Sequence, residues 1–239
     1  MIPATKHGDR LLRLENVGVS YRRRGVLKRQ PPFWALEDVF LEIYRGETLG
    51  VIGRNGVGKS TLLRLLAGII IPDRGTIHFD SPCHISLLSL QVGFIPQLTG
   101  RENAVLSGML LGMRRKEIEA RMDKIIDFAE LGDFFDQPIS TYSTGMRARL
   151  GFSVAFQTDP DILLVDEVLG VGDAEFRDNS ERAMREKIRS NRTVVLVSHN
   201  PQMIRNLCDR AVWIENGCTR LEGDPESVLT AYSGNLKSA

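Results

Sequence analysis

Gly53-Arg54-Asn55-Gly56-Val57-Gly58-Lys59-Ser60 decides how the rest of the 239-residue chain is read. It fits G-x-x-x-x-G-K-[ST], a pattern with an explicit physical purpose. The glycines let the backbone curl tightly, so that successive N–H groups converge on one anion. A helix starting at the end of the loop aims the positive end of its dipole at the same point. Lys59 is placed to reach terminal phosphates, and the Ser60 hydroxyl is placed to ligate Mg²⁺. The flanks agree. Thr48-Leu49-Gly50-Val51-Ile52 reads as a strand buried on both faces, and Ser60–Ala67 reads as a short helix closed by Gly68.

Outward from the loop, Leu11–Leu14, Val39–Ile43, Thr76–Phe79 and Ile85–Leu90 read as strands. The character changes from about residue 100. Arg101–Leu111, Arg115–Ala129 and about 145–157 carry helical apolar spacing. Strand signals return at Ile162–Val165, Thr193–Val197 and Ala211–Ile214, with helices between them, which predicts a mainly parallel α/β sheet interrupted by a helical insertion. The composition, 42% hydrophobic and 26% charged, excludes a disordered or fibrous chain. No apolar run approaches the ~20 residues of a membrane-spanning helix, and Met1–Arg10 has no signal-peptide core. Cys83, Cys208 and Cys218 form no Cys-x-x-Cys pair, so a reducing compartment is expected. The formal charge of +1 conceals an asymmetry: residues 1–34 hold eight basic and two acidic side chains, which leaves the remainder acidic.

Two further segments bring chemistry. Ile162-Leu163-Leu164-Val165-Asp166-Glu167 is a buried strand ending in two carboxylates. Asp166 can hold Mg²⁺ through water and Glu167 can polarise a nucleophilic water, while a solvated acidic turn is the plain alternative. Thr141-Tyr142-Ser143-Thr144-Gly145-Met146-Arg147-Ala148-Arg149 reads alone as a helix start with Ser143 as N-cap. Taken with the loop and the acid pair, however, its position 23 residues before Asp166 resembles the ATP-binding subunits of ABC transporters. The resemblance covers residues 11–232.

It implies an α/β P-loop NTPase, an ABC ATPase with a RecA-like core, an antiparallel β subdomain and an α-helical subdomain. The whole of 1–239 would be a single ATPase domain: core plus β subdomain over about 10–95 and 158–223, helical subdomain over about 96–157, and a short tail at 224–239. It implies ATP and Mg²⁺, with nucleotide contacts from Tyr21, Gly53, Asn55, Gly56, Gly58, Lys59, Ser60 and Thr61. Tyr21 is the aromatic expected to stack on adenine, although a lone Tyr in a strand serves a core equally well. The metal would be held by Ser60, Asp166 and the glutamine Gln91, for which Gln97 is the rival. Glu167 and His199 would be the catalytic base and the γ-phosphate switch. Ser143, Thr144 and Gly145 would complete the site of a second subunit, and Asp173 would link the two sites. Thr144 and Met146 depart from the Ser-Gly-Gly-Gln signature of the family.

The wording of Tyr142–Met146, Leu98–Asn103 and Asp166–Phe176 is similar to the branch that exports lipid-linked polysaccharides such as O-antigen, capsule and teichoic acid. That branch implies a homodimer of ATPase subunits beneath a separate membrane permease, peripheral on the cytoplasmic face of the inner membrane. A soluble ABC-type ATPase acting on nucleic acid or ribosomes is the competing reading, and it conflicts with the single phosphate loop and compact insertion; no nucleic-acid partner is expected. A P-loop GTPase or kinase leaves the Ser143 segment and His199 unexplained. Residues 22–34 combine Arg22, Arg23, Arg24, Lys28 and Arg29 with Val26, Leu27, Phe33 and Trp34. That mixture suits anionic head groups or a pyrophosphate-linked lipid, and equally a solvated loop.

Overall fold

The computed structural model describes residues 8–22, 31–88, 92–166, 173–190 and 192–238. In chain order the elements begin with β1 (Arg10–Tyr21), β2 (Phe33–Tyr44), β3 (Thr48–Ile52), α1 (Lys59–Leu66), β4 (Arg74–Phe79) and β5 (Ile85–Leu87). A helical series follows: α2 (Gly100–Leu110), α3 (Arg115–Ala120), α4 (Met122–Ala129) and α5 (Thr144–Phe156). Then come β6 (Ile162–Asp166), α6 (Ala174–Arg189), β7 (Thr193–Val197), α7 (Pro201–Leu207), β8 (Arg210–Glu215), β9 (Cys218–Gly223) and α8 (Pro225–Ser238).

By packing, the chain divides into two units. The first takes residues up to Leu87, the strand β6 and residues from Ile188 onward. Its sheet runs β4-β1-β2-β9-β8-β3-β7-β6-β5. The strands around β3 are parallel: β3 lies between β7 and β8, and β6 between β5 and β7. At the other end β1 pairs antiparallel with both β2 and β4, as the expected β subdomain requires. The strand β3 is buried at all five positions because it has neighbours on both edges and packed layers on both faces. Against the sheet α1 buries Leu62, Leu63, Leu65 and Leu66, each contributing about 1.5–3 kcal/mol. The core includes Leu11, Leu14, Leu36, Leu41, Val51, Leu164, Val195 and Ile214.

The second unit comprises Leu88–Pro160 together with Val168–Lys187, so most of α6 packs with the helical insertion rather than with the sheet, to which the sequence division assigns it. Its core is aromatic. The ring of Phe128 stacks on Phe152 and Phe156 at 5.6 and 5.3 Å and meets Phe176 of α6 edge-on at 5.7 Å.

The structure adds detail to three expectations. The single helix over Arg115–Ala129 is two, α3 and α4, separated at Arg121 (φ −104°, ψ 3°), whose guanidinium hydrogen-bonds the Gln157 carbonyl. The apolar period survives the break, with Ile118, Met122, Ile125 and Ala129 all buried. The tail over 224–239 contains the helix α8. Asp224 accepts from the N–H groups of Glu226 and Ser227, Val228 and Leu229 are buried, and Tyr232 meets Trp213 edge-on at 5.7 Å. Finally, Phe33 and Trp34, grouped by sequence with the basic loop, open β2. Among the described residues no helix is long and apolar enough to cross a membrane.

Candidate functional site

The phosphate loop leaves the carboxyl end of β3 and is pressed between strands. Gly58 has φ +103°, and a Cβ there would lie 2.3 Å from the Ala35 carbonyl oxygen of β2, so only glycine fits. At Gly53 a Cβ would come equally close, 2.3 Å, to the Ile214 carbonyl of β8. The Lys59 side chain is buried, and its Nζ donates to the carbonyls of Gly53 (2.8 Å) and Arg54 (3.0 Å), holding the loop's two arms together from inside. No side chain caps the start of α1, which leaves first-turn N–H groups available to an anion.

Above this loop lies a cavity of about 330 Å³. Asn55, Gly56, Gly58, Lys59, Ser60 and Thr61 form one side of it, and Tyr21 and Asp166 line it as well; Gly53, singled out with them in the sequence, is not among the lining residues. Phe33 and Ala35 line it too, and the sequence reading missed both. Their sequence signal is the apolar start of β2.

Register explains why Asp166 is here. It pairs with Val197 of β7, and Val197 also pairs with Val51 of β3. The loop after β3, Asp166 at the end of β6 and His199 after β7 therefore leave the carboxyl ends of three adjacent parallel strands, the edge at which open α/β sheets bind ligands. His199 is exposed at that edge and is not among the residues lining the cavity. Asn200 caps α7 by accepting from the Gln202 N–H at 2.9 Å, which fixes the chain just beyond the histidine.

The donors fit magnesium. A hydroxyl at Ser60 and a half-buried carboxylate at Asp166 face one cavity, all hard oxygen, and Mg²⁺ is typically held by one or two carboxylates, water and substrate phosphates. Glu167 and Gln91 lie outside the described residues. Gln97 is exposed, two residues ahead of the Thr99 cap of α2.

Ser143, Thr144, Gly145 and Asp173 belong to the second unit. The Ser143 Oγ caps α5, accepting from the Met146 N–H at 3.1 Å, and Thr144 and Gly145 form its first turn. The capping reading therefore holds, and the hydroxyl proton is still available to a ligand. Asp173 accepts from the Phe176 N–H at 3.0 Å and from Arg149 Nη2 at 2.6 Å, the first more than the second holding its carboxyl below the usual range. Arg149 also pairs with Glu130 at 3.0 Å and lies 4.9 Å from the Phe176 ring centre. The serine-capped helix and the Asp173 turn are thus joined through one guanidinium.

Comparison with known proteins agrees with this geometry. The pattern of the family described as ABC transporter matches residues 36–170. An O-antigen export system ATP-binding protein, RfbB of Klebsiella pneumoniae, is 48% identical over 200 residues, covering 84% of this chain and 81% of that protein. A teichoic acids export ATP-binding protein, TagH of Enterococcus faecalis, is 44% identical over 206 residues, covering 86% of this chain and 46% of the longer relative. Among solved structures, a dimeric post-hydrolysis state of the ATP-binding cassette MJ0796 bound to ADP and Pi superposes with a TM-score of 0.71 at 24% identity, covering 90% of this chain and 99% of that one.

Proposed function

The chain belongs to the ABC transporter family, and on that premise we propose that it is the ATP-hydrolysing subunit that powers export of a lipid-linked polysaccharide through a separate membrane permease. The observation carrying the ATPase part is the shared cavity of loop, Lys59, Ser60 and Asp166 at the carboxyl edge of the parallel strands. The cargo rests on likeness to the O-antigen and teichoic acid export subunits.

In this reading the loop N–H groups and Lys59 hold the β- and γ-phosphates, while Ser60 and Asp166 hold Mg²⁺, which supplies charge neutralisation on the phosphates. Glu167, next in sequence to Asp166, orients and deprotonates the attacking water. His199 contacts the γ-phosphate from the neighbouring strand end. Ser143, Thr144 and Gly145 complete the site of a second copy, so two ATP join two chains around a two-fold axis and hydrolysis releases them. The subunit then works at the cytoplasmic face of the membrane, and the basic stretch over 22–34 meets anionic or pyrophosphate-linked lipid.

Affinity purification of the tagged chain from membranes tests the assignment. Recovery of a polytopic permease, with ATPase activity raised by lipid-linked glycan, is the expected result. Recovery with ribosomes or DNA and no permease contradicts it.

A further inference from the structure

The antiparallel register sets Tyr21, the last residue of β1, directly opposite Phe33, the first of β2. Directly opposite residues project from the same face with Cβ atoms about 4.5–5.5 Å apart. Both rings are large and exposed, at 40% and 43%, and both line the cavity above the phosphate loop. The next residue, Trp34, alternates to the other face, where the Arg74 guanidinium lies 4.5 Å from its ring centre. Two residues after Phe33, on its own face, Ala35 lines the same cavity, and its carbonyl fills the space that a Cβ on Gly58 would need. The start of β2 therefore leans against the loop, and this fixes the distance from Phe33 to the phosphate-binding backbone.

We propose that Phe33 is a second base-binding residue, and that the Tyr21–Phe33 pair forms a two-ring platform selecting purine nucleoside triphosphates. This rests on the loop being the nucleotide site. A fused bicycle can cover both rings, whereas a single pyrimidine ring covers one, so the second ring rewards purines in particular. Stacking on an aromatic side chain is strong enough to be read as an affinity change of about tenfold.

Titration calorimetry on the full chain with Mg-ATP, Mg-CTP and inorganic tripolyphosphate tests it. In Phe33→Ala the ATP dissociation constant rises about tenfold, the preference for ATP over CTP shrinks, tripolyphosphate binding stays as in wild type, and Phe33→Tyr restores ATP affinity. Unchanged ATP affinity overturns the proposal. So does an equal loss for ATP and tripolyphosphate, which is the signature of a merely structural ring. Failure of the wild-type chain to bind ATP would instead sink the nucleotide-site reading itself.

Discussion

The buried Lys59 keeps its Nζ hydrogen-bonded to carbonyls of its own loop, so its burial does not strand an unpaired polar group. In the proposed reading an arriving phosphate chain would compete for those hydrogen bonds, so the loop is held in a binding-ready form by the residue that would bind it. Asp166 reaches the same cavity through strand register rather than through its own loop, and Glu167 follows it directly in sequence. The Glu167→Gln variant should retain Mg-ATP binding while kcat falls by about 10²–10⁴-fold. Steady-state turnover at the wild-type rate would remove Glu167 from the role of base. Ser143 caps α5, and in the proposed reading its hydroxyl would also meet a phosphate. Aspartate is an equally good N-cap, yet it places negative charge where the γ-phosphate should sit. Ser143→Asp should therefore melt within a few degrees of wild type and lose ATPase activity. Retained turnover would reduce Ser143 to a cap.

At the scale of elements, α6 is tied to the end of α5 by Lys187, whose ammonium donates to the carbonyls of Phe156 and, at 2.7 Å, Thr158. Burial, with repulsion from Arg121 second, pushes its pKa down from 10.5 to about 8. Between those two values the unfolded chain holds the proton that the folded chain has released, so stability rises with pH across that window. Denaturant titrations between pH 8 and 10.5 should show that rise in wild type, and Lys187→Met should lack it. The phosphate loop was legible in the sequence because its chemistry is written in eight consecutive residues. Phe33 was not, because its partner Tyr21 is found only by pairing β1 with β2. The full length of β1 was hidden by register shifts near Leu14, Val17 and Val19, which break the period-two alternation. The helix α8 did carry a local sign, Asp224 as cap before Pro225, whereas the division at Arg121 has no Pro or Gly to announce it. For the basic stretch, neutralising Arg22, Arg23, Arg24, Lys28 and Arg29 together should impair export or lipid-stimulated ATPase and spare basal ATPase. Unchanged export would leave the stretch as solvated surface.

At the scale of the whole molecule, the family and its parallel core, antiparallel β subdomain and helical subdomain were readable from ordered motifs, and the packing of α6 with the helical insertion was not, because it depends on an aromatic cluster drawn from α4, α5 and α6. The assembly follows from incomplete sites. In the proposed assembly one chain would supply phosphate loop, metal ligands and base, and the Ser143 turn would complete the site of its neighbour, so a lone chain would have no complete site for turnover. ATP should therefore convert the Glu167→Gln chain from monomer to dimer in light scattering. Reconstitution of the chain with its permease in proteoliposomes, following lipid-linked polysaccharide across the bilayer, tests the central claim most directly. Movement should require Mg-ATP and stop with Glu167→Gln. Movement at the wild-type rate without ATP, or with that variant, would contradict the account.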